Sequence, residues 1–509
     1  MAFSPHDGPA GRRRRYLWLL VGGVLSLFAT HTNSDIALAA WLYPVFLIHF
    51  ARTGRPAAAL VWLWAISACG VVFWLWRAEL SSPPLLLIAV GLGAVQAVPF
   101  LLDRLVAPRL AARSVLLSTL VFPAAKVATE FAQSSLSPVG GIYGVLGSTQ
   151  HEALPLVQVS AVTGVYGVSF LVAWAATVAA HALTAGRAWR TALRAAAASA
   201  AVLGCVVLAG GARLAFAPTP TESVRAAGVT LSEASHDTTM SPAFAKYDSL
   251  EAIVTADPDQ VRRDFAAIND ELIDRTVHEA RAGADLVVWN ESAAFTLETH
   301  RDELIDRIRE VAREHEVYVE AAMSVYIEQP PYLRNQAVLI APDGSTAWTY
   351  DKAHPIPVLE PYEAGPGETP LHDAPFGRLA TAICYDLNFP ATMRQAGAGG
   401  ADIMLLPANE WAAIKKLHAE KAMFRAVENG FSLVRPVGRG ISTTVDPYGR
   451  TLAAADYFTS GGGSMVVDVP VDGVATVYSR VGDLFAWTCV AATVAGAVLA
   501  LRPVRRVRR

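Results

Sequence analysis

Seven apolar stretches follow one another through the first 216 residues, and an eighth lies close to the C-terminus. They run at about 16–30, 35–51, 57–76, 83–102, 112–132, 155–183, 193–216 and 482–502. Crossing a bilayer as a helix takes about 20 apolar residues, and only a helix or a closed barrel pairs every backbone group on the way. These stretches therefore predict a domain of about eight transmembrane helices. Composition agrees, with 53% hydrophobic and 17% charged residues, an imbalance that signals membrane content. Arg12 to Arg15 before the first stretch resembles the start of a signal peptide, but the apolar segments that follow without a cleavage site point to a first membrane helix.

Loop charge fixes an expected orientation, because Lys and Arg in short loops concentrate on the cytoplasmic side. Arg12 to Arg15, then Arg52 and Arg55, then Arg104, Arg109 and Arg113, then Arg187, Arg190 and Arg194 fall at the N-terminus and in every second loop. Loops 31–34 and 133–154 hold no Lys or Arg, and 77–82 holds only Arg77. Seven crossings from a cytoplasmic N-terminus place the segment after about residue 217 outside. The eighth returns Arg502, Arg505, Arg506, Arg508 and Arg509 to the cytoplasm. The net charge of −3 hides this segregation, since most acidic residues sit between about 220 and 475.

Two polar features interrupt the apolar half. Lys126 and Glu130 are four residues apart on a candidate helix and share one face. They read equally as a pair snorkelling to the outer interface or as a functional pair facing a polar cavity. The Ser- and Gly-rich loop 133–154, ending near Leu146 to Gln150, either lines a groove for lipid or simply connects helices.

From about 224 to 475 the pattern changes to short β-rich runs alternating with charged helical stretches, as in an α/β domain of layered αββα type. Expected helices cover Val261 to Ala282, Arg301 to His315, Thr392 to Ala398 and His418 to Asn429, the last stopped by Gly430. Expected strands cover Asp285 to Trp289, Val317 to Val325, Tyr332 to Ala341, Ser345 to Tyr350, Ile403 to Leu406, and a pair at Ser432 to Val437 and Ser442 to Asp446. The division is thus 1–216 for the N-terminal helices, 217–480 for an extracytoplasmic domain, and 481–509 for a last helix and basic tail. No metal-ligand spacing, phosphate loop or internal repeat stands out.

Cys69, Cys205 and Cys489 lie in apolar stretches, which leaves Cys384 without a disulfide partner. Taken alone, Cys384 reads as a small buried hydrophobe. It lies, however, at the end of the apolar run Leu379 to Ile383 and before a turn-like segment, where a side chain leaves a sheet to face a cleft. Glu291 and Lys352 also follow strand-like runs; each alone reads as a solvated loop residue. Together the three form a chemically complete set, because a thiol nucleophile needs a base and an acyl transition state needs positive charge for its oxyanion.

The segments Trp289-Asn-Glu291-Ser-Ala, Tyr350-Asp-Lys352-Ala-His354 and Ile383-Cys384-Tyr385-Asp386 with Phe389-Pro390 resemble the Glu-Lys-Cys triad of the nitrilase, or carbon-nitrogen hydrolase, superfamily. Seven apolar segments before this domain and one after it make the whole chain similar to the apolipoprotein N-acyltransferase branch. The resemblance extends through Pro357, Glu360 and Tyr362, Met423 to Gly430, Gly440 to Gly449, Leu146 to Gln150 and Gly164 to Ser169. It implies a nitrilase-like αββα sandwich beside the transmembrane helices, in a multi-pass protein of the bacterial cytoplasmic membrane. It also implies acyl transfer from a phospholipid to the N-terminal amine of a diacylglyceryl-cysteine lipoprotein through a thioester on Cys384. In that scheme Glu291 is the general base, Lys352 stabilises the oxyanion and favours the thiolate, Glu360 orients Lys352 or the donor, and Asp386 supports the site. Neither cofactor nor metal is implied, and no nucleic acid.

The chain departs from the family pattern at Asn290, Asp386, Val358-Leu359, Asn409 to Ile414 and Ser137 to Tyr143. These departures bear on the substrate more than on the chemistry. They keep open a membrane-tethered amidase acting on a small amide, and a non-enzymatic binding domain in which Cys384 is incidental.

Overall fold

The computed structural model describes residues 9–29, 35–53, 55–136, 144–184, 189–357 and 359–501. The chain divides at Ala217 and Arg480 into two compact units. One comprises residues 1–216 and 481–509, the other the segment between.

The first unit is helical. Five helices are long and apolar enough to cross a membrane: Pro56–Arg77, Pro83–Ala111, Val115–Leu136, Val165–Thr184 and Trp189–Ala215. Pro9–Leu27, Ala37–Arg52 and Leu484–Leu501 are further helices in the remaining expected segments. Pro56 and Pro83 open their helices, where a missing N–H costs nothing. The C-terminal helix joins the N-terminal ones through aromatic contacts, with Phe131 edge-on to Trp487 at 5.0 Å and Phe170 edge-on to Phe485 at 5.6 Å.

Three expectations are corrected here. The segment 155–183 is not one helix: Leu154–Val157 and Ser160–Thr163 are separate short turns, and Gly164 at φ +68° redirects the chain before Val165. The fourth helix extends to Ala111, so Arg104 and Arg109 lie inside it rather than in a loop. Arg52 is no free loop charge either; it grips the buried Asp103 bidentately at 2.8 and 2.9 Å. Lys126 and Glu130 are both buried and 3.1 Å apart, which removes the snorkelling alternative. Glu130 also accepts from the Leu146 N–H at 2.9 Å, tying the 144–150 turn to its helix. Lys126 lines a cavity of about 30 Å³ with Tyr43, Gln96 and Ser67. Part of loop 133–154 lies outside the described residues.

The second unit carries two sheets. Its strands are β1 (Ser223–Val229), β2 (Leu286–Trp289), β3 (Ala294–Leu297), β4 (Tyr318–Tyr326), β5 (Leu333–Ile340), β6 (Thr346–Asp351), β7 (Leu371–Ala374) and β8 (Gly377–Thr381). They continue with β9 (Ile403–Leu405), β10 (Ala408–Asn409), β11 (Ser432–Arg435), β12 (Val437–Gly438), β13 (Ile441–Val445), β14 (Thr451–Asp456) and β15 (Ser464–Pro470). One sheet runs β15-β1-β2-β4-β5-β6, with β3 added beside β4; the other runs β14-β13-β11-β9-β8-β7, and β10 and β12 form a small ladder of their own.

Period-two alternation sorts the side chains. Val224, Ala226, Leu286, Val288 and Leu339 join Leu379, Ile403, Leu405 and Leu433 in one core between the sheets. Ala227, Val229, Val287 and Val319 face the other way, onto Phe265, Ile268 and Leu272 of helix Pro258–Arg281 and onto Leu304 and Ile308 of Arg301–His315. Helix Lys415–Asn429 covers the second sheet with Ala422 and Ala426. The result is the expected αββα layering. Ser432 to Val437 is broken into β11 and β12, while β11 pairs antiparallel with β13, Leu433 opposite Val445. The parallel neighbours β1, β2 and β4, and likewise β8, β9 and β11, end on one side, and the polar residues after them collect there.

Candidate active site

Glu291 follows β2 by two residues, Lys352 follows β6 by one, and Cys384 opens a 3₁₀ turn three residues after β8. β2 is buried throughout, β8 is buried over its last three residues, and β6 alternates, with Trp348 and Tyr350 buried. Each register is therefore fixed, and the side chain just past the strand end is aimed, not loose. All three are nearly inaccessible: 3% exposed for Glu291, 1% for Lys352 and 3% for Cys384.

The Lys352 ammonium donates at 2.7 Å to Glu291 Oε1, at 2.7 Å to Glu360 Oε1 and at 3.3 Å to the Tyr362 hydroxyl. Glu291 Oε1 also accepts from Asn335 Nδ2 at 2.7 Å, and its Oε2 from the Asn409 N–H at 2.9 Å. Glu360 Oε2 accepts from the Ile356 N–H at 2.7 Å, which holds the loop after Lys352. The Cys384 thiol donates to the Asn409 carbonyl oxygen at 3.6 Å, and the Glu291 carboxylate lies near enough for the two groups to shift each other's titration. The structure thus brings Glu291, Lys352, Glu360 and Cys384 together.

Asp386 is fully buried in the turn that Cys384 opens. It accepts from the Tyr350 hydroxyl, the His354 N–H and the His354 ring Nδ1, each at 2.8 Å, and from the Ile383 N–H at 3.0 Å. One carboxylate therefore ties the turn carrying Cys384 to the strand end carrying Lys352. Phe389 stacks on the His354 ring at 3.7 Å and closes the same corner.

Backbone strain marks the place independently. Of the six described non-glycine residues with left-handed backbone, three lie here, Ser292 (φ +50°), Cys384 (φ +45°) and Arg439 (φ +53°), the others being Glu79, Glu316 and Tyr332. Such conformations cost about 1–3 kcal/mol each and persist where the surroundings over-determine them. Ser292 adjoins Glu291. Arg439 follows Gly438, where a Cβ would come within 2.5 Å of the Asn290 amide nitrogen and 2.8 Å of the Asn409 side-chain oxygen. A side chain there would have to displace the ends of the Asn290 and Asn409 side chains.

Electrostatics sets the resting protonation. Burial and the Glu360 charge push the Glu291 carboxyl up, against the pull of Lys352. Burial opposes the Lys352 ammonium, but Glu291 foremost, then Cys384, Tyr362 and Glu360, outweigh it and hold it well above its usual value. Burial and the adjacent Glu291 charge hold the Cys384 thiol well above its ordinary value. Lys352 does pull toward the thiolate, as expected, but those two effects outweigh it. A thiol, a carboxylate lifted toward neutrality and a fixed ammonium are the parts that acyl transfer through sulfur requires.

Several contributors escaped the sequence reading. Asn335 sits inside a β-rich run, where the available signal was a polar group at a buried position, and Tyr350, although part of the lysine motif, carried no sign that its hydroxyl serves Asp386. Asn409 acts through its backbone, which leaves no trace in residue type.

Two sequence families match the chain: the apolipoprotein N-acyltransferase N-terminal domain over residues 22–178 and the carbon-nitrogen hydrolase domain over residues 252–478. The chain is similar to a Geobacter metallireducens protein named apolipoprotein N-acyltransferase, 27% identical over 97% of both chains. A Bradyrhizobium diazoefficiens protein of the same name is 28% identical over 97% of this chain and 96% of that one. A Bacillus thuringiensis formamidase is 32% identical over 26% of this chain and 44% of its own length. Two domain matches in the expected order, and relatives aligned from end to end, lead to one conclusion: the chain belongs to the apolipoprotein N-acyltransferase family of the carbon-nitrogen hydrolase superfamily.

Proposed function

We propose that the protein transfers a fatty acyl chain from a membrane phospholipid to the N-terminal amine of a diacylglyceryl-cysteine lipoprotein, with Cys384 carrying the acyl group as a thioester. The observation that carries this reading is the buried cluster in which Lys352 reaches both Glu291 and Glu360 at 2.7 Å while the thiol lies against Glu291.

In the first half, Glu291 removes the thiol proton as sulfur attacks the carbonyl carbon of the lipid ester. Negative charge develops on the carbonyl oxygen, and the Lys352 ammonium stabilises it. Collapse breaks the ester C–O bond, Glu291 returns its proton to the leaving alkoxide, and lysophospholipid departs. In the second half, the lipoprotein amine attacks the thioester, Glu291 takes a proton from nitrogen, and the C–S bond breaks. The thiolate recovers a proton and the product is an amide. Glu360 keeps Lys352 aimed, and Asp386 holds the Cys384 and Lys352 segments in register.

Both substrates carry acyl chains that are costly to draw into water, which supports a catalyst built into a membrane protein. The loop-charge pattern supports an extracytoplasmic catalytic domain on a multi-pass anchor in the bacterial cytoplasmic membrane. Short-range likeness to a formamidase favours the second reading, hydrolysis of a small amide by the same triad. The two are separated by supplying purified protein in vesicles with phospholipid and a diacylglyceryl-cysteine peptide. Amide-linked acyl peptide is expected from the wild type and none from C384S. Release of ammonia from a soluble amide without acylated peptide would overturn the transferase reading.

A further inference from the structure

Behind Cys384 and Glu291 lies a second row of buried polar side chains that the chemistry above leaves unused: Asn388, His418, Glu410 and Arg435. Glu410 Oε1 accepts from His418 Nδ1 at 2.8 Å and forms an ion pair with the Arg435 guanidinium. On its other side, His418 Nε2 lies 3.4 Å from the Asn388 amide nitrogen. With Nδ1–H donated to Glu410, Nε2 is left to accept from that amide. The row therefore has two ends. Asn388 belongs to the turn that Cys384 opens, and Glu410 directly follows Asn409.

Asn409 is the link between thiol and base, since its carbonyl faces Cys384 Sγ at 3.6 Å and its N–H donates to Glu291 Oε2 at 2.9 Å. Yet β10, which carries it, is only two residues long, paired with β12 alone. A ladder so short does not hold a backbone to a fraction of an ångström unaided. The fixed point next along the chain is Glu410, whose N–H donates to the Gly438 carbonyl at 2.8 Å and whose Oε1 holds both the His418 ring and the Arg435 guanidinium. A buried charged network is weak evidence for stability, because apolar residues of equal volume often serve as well. What it supplies is a defined geometry.

We infer that His418 and Glu410 are positioning residues for the thiol–base pair: they lock the Asn388 turn to the Asn409 strand so that Cys384 and Glu291 stay in register. This rests on the assignment of Cys384 as nucleophile and Glu291 as base. Neither His418 nor Glu410 touches substrate. They act through the Asn409 backbone and the Asn388 turn, and Arg435 keeps Glu410 charged: burial alone would raise that carboxyl, but Arg435 and His418 hold it below its ordinary value.

The test uses the full-length protein in vesicles and three variants: H418F, which fills the volume but removes both hydrogen bonds; H418Q, which retains a donor; and E410Q, which keeps the shape but not the charge. Transfer kinetics should show kcat lowered by about 100-fold in H418F, the scale of a 1 Å misplacement, with KM within about twofold, and at least about tenfold recovery in H418Q. Alkylation of Cys384 by iodoacetamide without lipid should slow by about tenfold or more in H418F and E410Q, while the thermal midpoint stays close to wild type. The alkylation arm needs no acyl transfer, so it reports on positioning even if the transferase reading fails. Wild-type kcat and alkylation in H418F would overturn the inference. So would kcat and thermal midpoint falling together in both H418F and E410Q with no recovery in H418Q, the mark of a purely structural role.

Discussion

Lys352 lies between two carboxylates of unequal duty, and this decides how Glu291 titrates. In the proposed mechanism Glu291 must be ionised to take the thiol proton, so activity should fall as pH drops through its folded pKa. Burial first, and Glu360 after the opposing Lys352, raise that pKa above an ordinary carboxylate. E360Q deletes one raising charge and leaves Lys352 to Glu291 alone, so the acid limb of the kcat/KM profile should move to lower pH, even as kcat falls from a less constrained ammonium. An unmoved limb would mean that another group controls it. At this scale the sequence was informative, because Glu291, Lys352, Cys384 and Glu360 each sit just past a strand or in the loop after one. The protonation state was not legible, since it depends on how deeply the sulfur is buried and on how many carboxylates share one ammonium.

Between strands and turns, Asp386 does the most joining. Its carboxylate collects donors from residues 350, 354 and 383, so D386A strands several buried polar groups at about 1–3 kcal/mol each. A loss of at least about 3 kcal/mol in denaturant unfolding and a collapse of activity are expected together, with D386N recovering part of the stability. Glu320 on β4 works the other way. Burial against Trp348 and Thr381 in the inter-sheet core raises its carboxyl to about 8, so it stays neutral when folded and ionises when unfolded. Between about pH 4.5 and 8 the unfolded chain binds fewer protons, and stability falls as pH rises, by about 3 kcal/mol near pH 7. E320Q should be more stable than wild type at pH 8 and gain little at pH 5. The sequence indicated the central strands β2, β4, β5, β6, β8, β9, β11 and β13, because periodicity distinguishes helix from strand. It held no expectation for β1, β3, β7, β14 and β15, nor for β10, and it ran β12 into β11. Two-residue ladders have no period, and the row from Asn388 to Arg435 forms only when four distant segments meet.

For the whole molecule, eight apolar segments lead to a membrane protein whose large polar unit lies between the last two of them. The break at Gly164 and the Arg52–Asp103 pair were invisible to hydropathy, which sees neither backbone direction nor the partner of a charge. The orientation makes a plain prediction: alkaline phosphatase fused after Ala217 should be active, and activity only from a cytoplasmic reporter at that position would contradict access to exported lipoproteins. The central claim is that Cys384 carries the acyl chain, and intact-peptide mass spectrometry tests it most directly. Wild-type protein incubated with phospholipid alone should gain one acyl mass on the Cys384 peptide and lose it when a diacylglyceryl-cysteine peptide is added. Absence of any acyl adduct on Cys384, with lipid still consumed, would contradict the account.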